Sequence, residues 1–183
     1  AYPNLLQRID KKVQYPINSF SEEESQHTLQ VIHGNSRFGF ENPKRNSQDK
    51  DMFHDSENHE STIDDNTLIQ LFKAHSNEDE ELDLSNRKIS HINAPVLMKT
   101  LSSFKNLLLL NLSSNFLGAR GIGLLSSNSN RNLASLEQLN LADNKFGIEG
   151  SKSLSLNTIW ENLKVLNLSG NPIGNDGIKF IAQ

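Results

Sequence analysis

Three groups of residues have side chains or spacings that suit chemistry. Gly118-Ala119-Arg120-Gly121-Ile122-Gly123 is spaced like a loop that cradles a phosphate on its backbone N–H groups. His54-Asp55-Ser56-Glu57-Asn58-His59, with Asp51 nearby, offers imidazoles and carboxylates that can ligate a metal. Asn115, Asn144 and Asn171 carry carboxamides, each a donor and an acceptor at once. The first two groups do not stand as sites. The glycines at 118 and 121 recur at 147/150 and 174/177, and a shared backbone role explains that better than three phosphate sites. The His-rich spacing matches no metal motif, and a solvated loop explains it more simply. There is no cysteine nucleophile, no G-x-x-x-x-G-K-[ST] and no H-E-x-x-H, and no serine can be matched to a base. No catalytic residue, metal site or cofactor is assigned, and the chain reads as a non-enzyme.

The asparagines belong to a larger pattern. Leu107 to Asn115, Leu136 to Asn144 and Leu163 to Asn171 each read L-x-x-L-x-L-x-x-N. Leu110, Leu139 and Leu166 hold equivalent places, 29 and 27 residues apart. The L-x-L alternation predicts a short strand with leucines on one face and the intervening residues on the other. One such unit cannot bury its apolar face alone, so units must stack, each buried leucine contributing roughly 1.5–3 kcal/mol. After each strand the chain turns inward. An asparagine there can satisfy backbone groups that would otherwise cost about 1–3 kcal/mol each unpaired. A second shared pattern follows: N-x-[apolar]-G-x-x-G at Asn115–Gly121, Asn144–Gly150 and Asn171–Gly177, then apolar residues at helical spacing such as Ile122/Leu125 and Ile178/Ile181. The first glycine is expected to take a backbone conformation that other residues resist, the second to permit close packing at a helix start.

These residues resemble the ribonuclease-inhibitor-like class of leucine-rich repeats, closely over 107–183 and loosely over 79–106. The resemblance implies an α/β leucine-rich repeat solenoid, a right-handed β-α superhelix. In that class a curved parallel sheet lines the concave side, helices cover the convex side, and the concave side usually binds protein. Proteins of this class and composition also look like bacterial effectors that act inside host cells. That implies an intracellular, cytosolic setting, the host cytosol after bacterial secretion.

Ahead of the clear repeats, Leu82-Asp83-Leu84 reads as the first strand, with Arg87 where Asn115 stands and Ser90 and Asn93 in place of the glycines. A divergent first repeat suits an end, but the lost asparagine puts its loop geometry in question. Asp64 to Lys73 predicts a capped helix with Leu68, Leu71 and Phe72 on one stripe, covering the N-terminal end. Residues 1–62 show no repeat. Pro3 to Val13 suits a short helix, Ser21-Glu22-Glu23-Glu24 a capping box, and 28–41 a hairpin in which Leu29/Val31 and Phe38/Phe40 alternate. Residues 42–62 are a polar linker. The expected division is therefore a non-repeat region 1–62, a capping helix 63–76, and four repeats over 77–183, the last cut short at Gln183. No C-terminal cap follows, which suits a fragment.

Composition narrows the partners. The net charge of −4 gives no general attraction to nucleic acid, and no apolar run approaches the ~18 residues of a membrane span. The absence of cysteine excludes disulfides and cysteine-clustered end caps. The sequons Asn111-Leu112-Ser113 and Asn167-Leu168-Ser169 fall on strands, where a glycan would obstruct the face. Abundant asparagine and serine fit an AT-rich microbial genome. By alternation the outward strand positions form three columns: Glu81, Leu109, Gln138 and Val165; Asp83, Asn111, Asn140 and Asn167; Ser85, Ser113, Ala142 and Ser169. Exposed Leu109 and Val165 among amides suit a protein partner. The chain reads as a protein-interaction module. The alternative makes the N-terminal region part of an enzyme or regulatory domain that the repeats supply with substrate. Trp160 is assigned to packing rather than binding.

Overall fold

The computed structural model describes residues 30–31 and 62–182. A two-residue strand, β1 (Gln30–Val31), and a helix, α1 (Asp65–Phe72), come first. Four strand–helix units follow: β2 (Glu81–Asp83) with α2 (Ala94–Leu101), β3 (Leu109–Asn111) with α3 (Gly118–Leu125), β4 (Gln138–Asn140) with α4 (Ile148–Ser155), and β5 (Val165–Asn167) with α5 (Gly174–Ala182). Strands β2 to β5 are parallel and adjacent in chain order, which makes an α/β repeat fold. β1 adds antiparallel to the free edge of β5, Gln30 opposite Asn167 and Val31 opposite Leu166. Gln30–Val31 is the only described part of the expected hairpin. The expected N-terminal helix, the capping box at Ser21 and the His-rich run lie outside the described residues, as does the polar linker up to residue 61.

The leucine pattern explains the core directly. Leu82, Leu110, Leu139 and Leu166 pair in register and are fully buried, as are the flanking Leu84, Leu112, Leu141 and Leu168. From the helices, Leu97, Ile122, Leu125, Leu154 and Ile181 close over them. Phe104, Leu133 and Trp160 occupy equivalent places three residues before Leu107, Leu136 and Leu163, and all are buried. Trp160 is therefore core, but its Nε1 has no hydrogen-bond partner among the described residues. Asn157 clamps that corner: its Oδ1 accepts from the Ile159 and Trp160 amides, and its Nδ2 donates to Ser126 O of the preceding unit.

Helix α1 packs against α2, the helix of the first unit. Asp64 caps it, accepting from Thr67 N at 2.9 Å and Thr67 Oγ1 at 2.6 Å. Leu68 and Phe72 are its buried side chains, and Phe72 meets Phe104 edge-on, with centroids 5.9 Å apart. Asn93, which stands where later units have glycine, donates from Nδ2 to Ile63 O and Asp65 Oδ1. Its Oδ1 accepts from Ser90 N. The departure from the glycine pattern thus gives the first unit its tie to α1.

The two glycines of each unit do different things. The second is a packing position: a Cβ on Gly150 would lie 2.7 Å from Phe146 Cβ, and one on Gly121 would lie 2.9 Å from Leu117 Cβ. The first is left-handed at Gly118 (φ 56°) and Gly174 (φ 65°). Gly147 departs from that expectation, with φ −110°. In its unit the left-handed residue is Lys145 (φ 56°) instead. The turn needs one reversal of backbone hand after the asparagine, and its place shifts between units.

Two outcomes test this account. Gly150→Ala should destabilise by about 1–3 kcal/mol through overpacking against Phe146. Gly118→Ala, which meets nothing within 4 Å, should cost only the left-handed penalty of about 1–2 kcal/mol. Urea unfolding of both variants ranks them. At Asp64, the bonds from Thr67 hold the carboxyl below its ordinary value. A depressed folded value gives stability that is present above the unfolded value and is lost as pH falls through the folded one. Asp64→Ala should therefore be less stable than wild type near neutrality, with the gap narrowing as pH falls through the folded carboxyl's lowered value, as read by unfolding at neutral and acid pH.

Candidate functional site

The turns that follow the strands position the site. Asn115 is fully buried, and its Nδ2 donates to Leu84 O of the preceding unit and to Leu112 O of its own, each at 2.9 Å. Its Oδ1 accepts from Arg87 N and Ile89 N. Asn144 repeats this, donating to Leu112 O and Leu141 O and accepting from Leu117 N. Asn171 donates to Leu141 O and Leu168 O and accepts from Asn144 N and Phe146 N. Each carboxamide thus joins two successive turns. The residue just before it is left-handed in every unit: Asn86, Ser114, Asp143 and Gly170 have φ between 53° and 71°. No single residue type marks this column, though Asn, Asp and Gly are the types that tolerate its conformation.

The first unit's turn keeps its shape without an asparagine of its own. Asn115, from the following unit, receives the amides of Arg87 and Ile89. The preceding-unit carbonyl that an asparagine at 87 would serve does not exist among the described residues, since no parallel strand precedes β2. An exposed arginine therefore occupies the place.

The outward residues form the in-register columns that alternation predicts: Glu81, Leu109, Gln138 and Val165 in one, Asp83, Asn111, Asn140 and Asn167 in the next. Their exposure differs from the expectation. Leu109 and Val165 are only 4% and 1% exposed, so they are not exposed apolar anchors. In-register parallel pairing sets column neighbours about 4.8 Å apart, so side chains shield one another. β1 also turns β5 into an interior strand. Glu81 and Asp83, on the edge strand, remain exposed, and Gln138 is half-buried.

The second column is built locally. Asn111 Oδ1 accepts from Ser113 N and Ser113 Oγ, and Asn167 Oδ1 from Ser169 N and Ser169 Oγ. Asn140 Oδ1 accepts from Ala142 N, and Asp83 Oδ1 from Ser85 N. The third column, Ser85, Ser113, Ala142 and Ser169, thus supplies the amides that pin the second. Asn111, Asn140 and Asn167 are between 4% and 8% exposed. Their Nδ2 groups make no hydrogen bond among the described residues. Beside these columns Lys145 Nζ lies 4.4 Å above the Phe116 ring. Among the described residues no cluster of metal-ligating side chains forms, and no helix is long and apolar enough to cross a membrane.

A model of the leucine-rich repeat family matches residues 132–157 and 161–182. These matches cover the units built on β4 and β5, which are similar to leucine-rich repeats. No curated protein matches the chain. Leucine-rich repeat domains generally mediate protein–protein interaction.

Asn144→Ala would orphan the Leu117 amide and leave the Leu112 and Leu141 carbonyls with only the Asn115 and Asn171 donors, and should destabilise by about 1–3 kcal/mol. Restoring the consensus with Arg87→Asn should gain less than about 1 kcal/mol, because among the described residues no preceding unit is there to bridge. Thermal unfolding of the pair separates a carboxamide that bridges units from one that serves only its own turn.

Proposed function

We propose that the four units form a ribonuclease-inhibitor-like solenoid, capped at its start by α1, whose concave strand face binds a protein partner. The observation that carries this reading is the column Asp83, Asn111, Asn140 and Asn167, in register across four parallel strands, with three fixed amide groups whose donors have no partner among the described residues. Unused donors held in place by the fold favour a ligand that brings acceptors. They cost little in ordering on binding, because their rotamers are already set. The inward leucines are fully committed to the core, so the outward face is the surface left for recognition. The cysteine-free chain and the strand-borne sequons suit a protein working in a cytosol, that of a host cell if it is a bacterial effector.

The test is capture of partners by wild type and by two folded variants. Ser113→Arg/Gln138→Arg/Ser169→Arg blocks the strand face at residues that are half-buried there. Leu124→Arg/Ile148→Arg alters exposed residues of α3 and α4. A partner that is lost only with the strand-face variant supports the proposal. Loss only with the helix variant moves the site to the other side.

A further inference from the structure

We propose that the concave column recognises a helix carrying glutamines on three successive turns and a lysine or arginine on the turn beyond. This rests on the reading of that face as a protein-binding surface, and it names the chemistry of the partner.

Four features of the column lead to this occupant. First, its hydrogen-bonding sense is set. The Oδ1 atoms of Asn111, Asn140 and Asn167 are held by the amides two residues on, at 3.1, 3.1 and 3.0 Å, so their free Nδ2 groups are donors and the partner must supply acceptors. Second, the column changes sign at one end. Asp83 makes the same turn through Oδ1, to Ser85 N at 2.8 Å, but offers a carboxylate in place of an NH2 group. It is exposed, on the edge strand, and a cation is its natural complement. Third, the spacing suits a helix better than a strand. Neighbouring parallel strands place the amides about 4.8 Å apart. A helix repeats a face about every 5.4 Å. An extended chain repeats a side about every 6.6 Å, too long a step to stay aligned over three amides. Fourth, the donors are recessed, since their residues are at most 8% exposed. A partner backbone cannot descend to them, whereas a glutamine carbonyl on its flexible stem can. Glutamine is also favoured over glutamate, because a row of carboxylates would repel one another and the Asp83 carboxylate at neighbouring steps of the column.

The experiment measures binding of fluorescein-labelled alanine-based helical peptides by anisotropy. The first carries arginine at position i and glutamines at i+4, i+7 and i+11. In the second, glutamates replace the glutamines. In the third, alanine replaces the arginine. The key protein variant is Asn111→Asp/Asn140→Asp/Asn167→Asp, which keeps each Oδ1 acceptor, as Asp83 does, and removes the donors. Because adjacent carboxylates can strain the fold, the single variants Asn111→Asp and Asn167→Asp are run beside it, with unfolding midpoints for all. Expected are saturable binding of the first peptide to wild type, at least about tenfold weaker binding by the triple variant, and a measurable loss for each single variant. Asp83→Asn should weaken the arginine peptide and leave the alanine peptide unchanged. Equal binding by the aspartate variants, equal or tighter binding of the glutamate peptide, or no binding of any peptide would overturn the proposal. If no peptide binds while the strand-face arginine variant still loses a captured partner, the protein-binding reading stands and only the helical glutamine partner is refuted.

Discussion

The structure depends on a carboxamide that satisfies the backbone of two turns at once. Asn115, Asn144 and Asn171 each donate to a carbonyl of the preceding unit and to carbonyls of their own, and each accepts a backbone amide of the preceding unit. Leucine burial supplies the driving force for stacking, but it is non-directional and would tolerate a slip. The carboxamides are directional, and unpaired backbone groups in so dry a place are costly. They therefore hold the register that puts Leu110 beside Leu139 and Asn111 beside Asn140.

That register gives the outward face its character. Because identical places in successive units fall side by side, any residue type the repeat favours becomes a row. The Asn/Asp place after the inward leucine becomes a line of pinned side chains, and the serine place two residues later supplies the amides that pin them. The departures are local and have local causes. Arg87 lacks an asparagine's task because, among the described residues, no parallel strand stands before it. Asn93 replaces a glycine because α1, rather than another repeat helix, is its neighbour.

Much of the repeat was legible in the sequence because its period writes the same physical demand three times. The L-x-L strands, the core leucines, the carboxamide turns, the close-packing glycines and the membership of each outward column follow from alternation and spacing. The left-handed residue before Arg87, Asn115, Asn144 and Asn171 left only a weak trace in the sequence: Asn86, Asp143 and Gly170 are types that tolerate that conformation, but Ser114 is not, and no single residue type repeats. Nor was the burial of Leu109 and Val165, which depends on what lies beside and along the edge of the strand rather than on the strand's own pattern.

The sequence by itself determined which residues face inward, because a strand's period of two and a repeat near 28 residues leave one arrangement that buries the leucines. Only the tertiary structure decided how the outward residues are used. Whether an asparagine side chain is spent on its own turn, bridges to a neighbour or keeps donors for a partner depends on the amides and carbonyls within about 3 Å of it. For Asn115, Asn144 and Asn171 many of those come from other units, far away in the chain. The antiparallel addition of Gln30–Val31 to β5 is of the same kind, a contact between segments more than a hundred residues apart that no local pattern encodes.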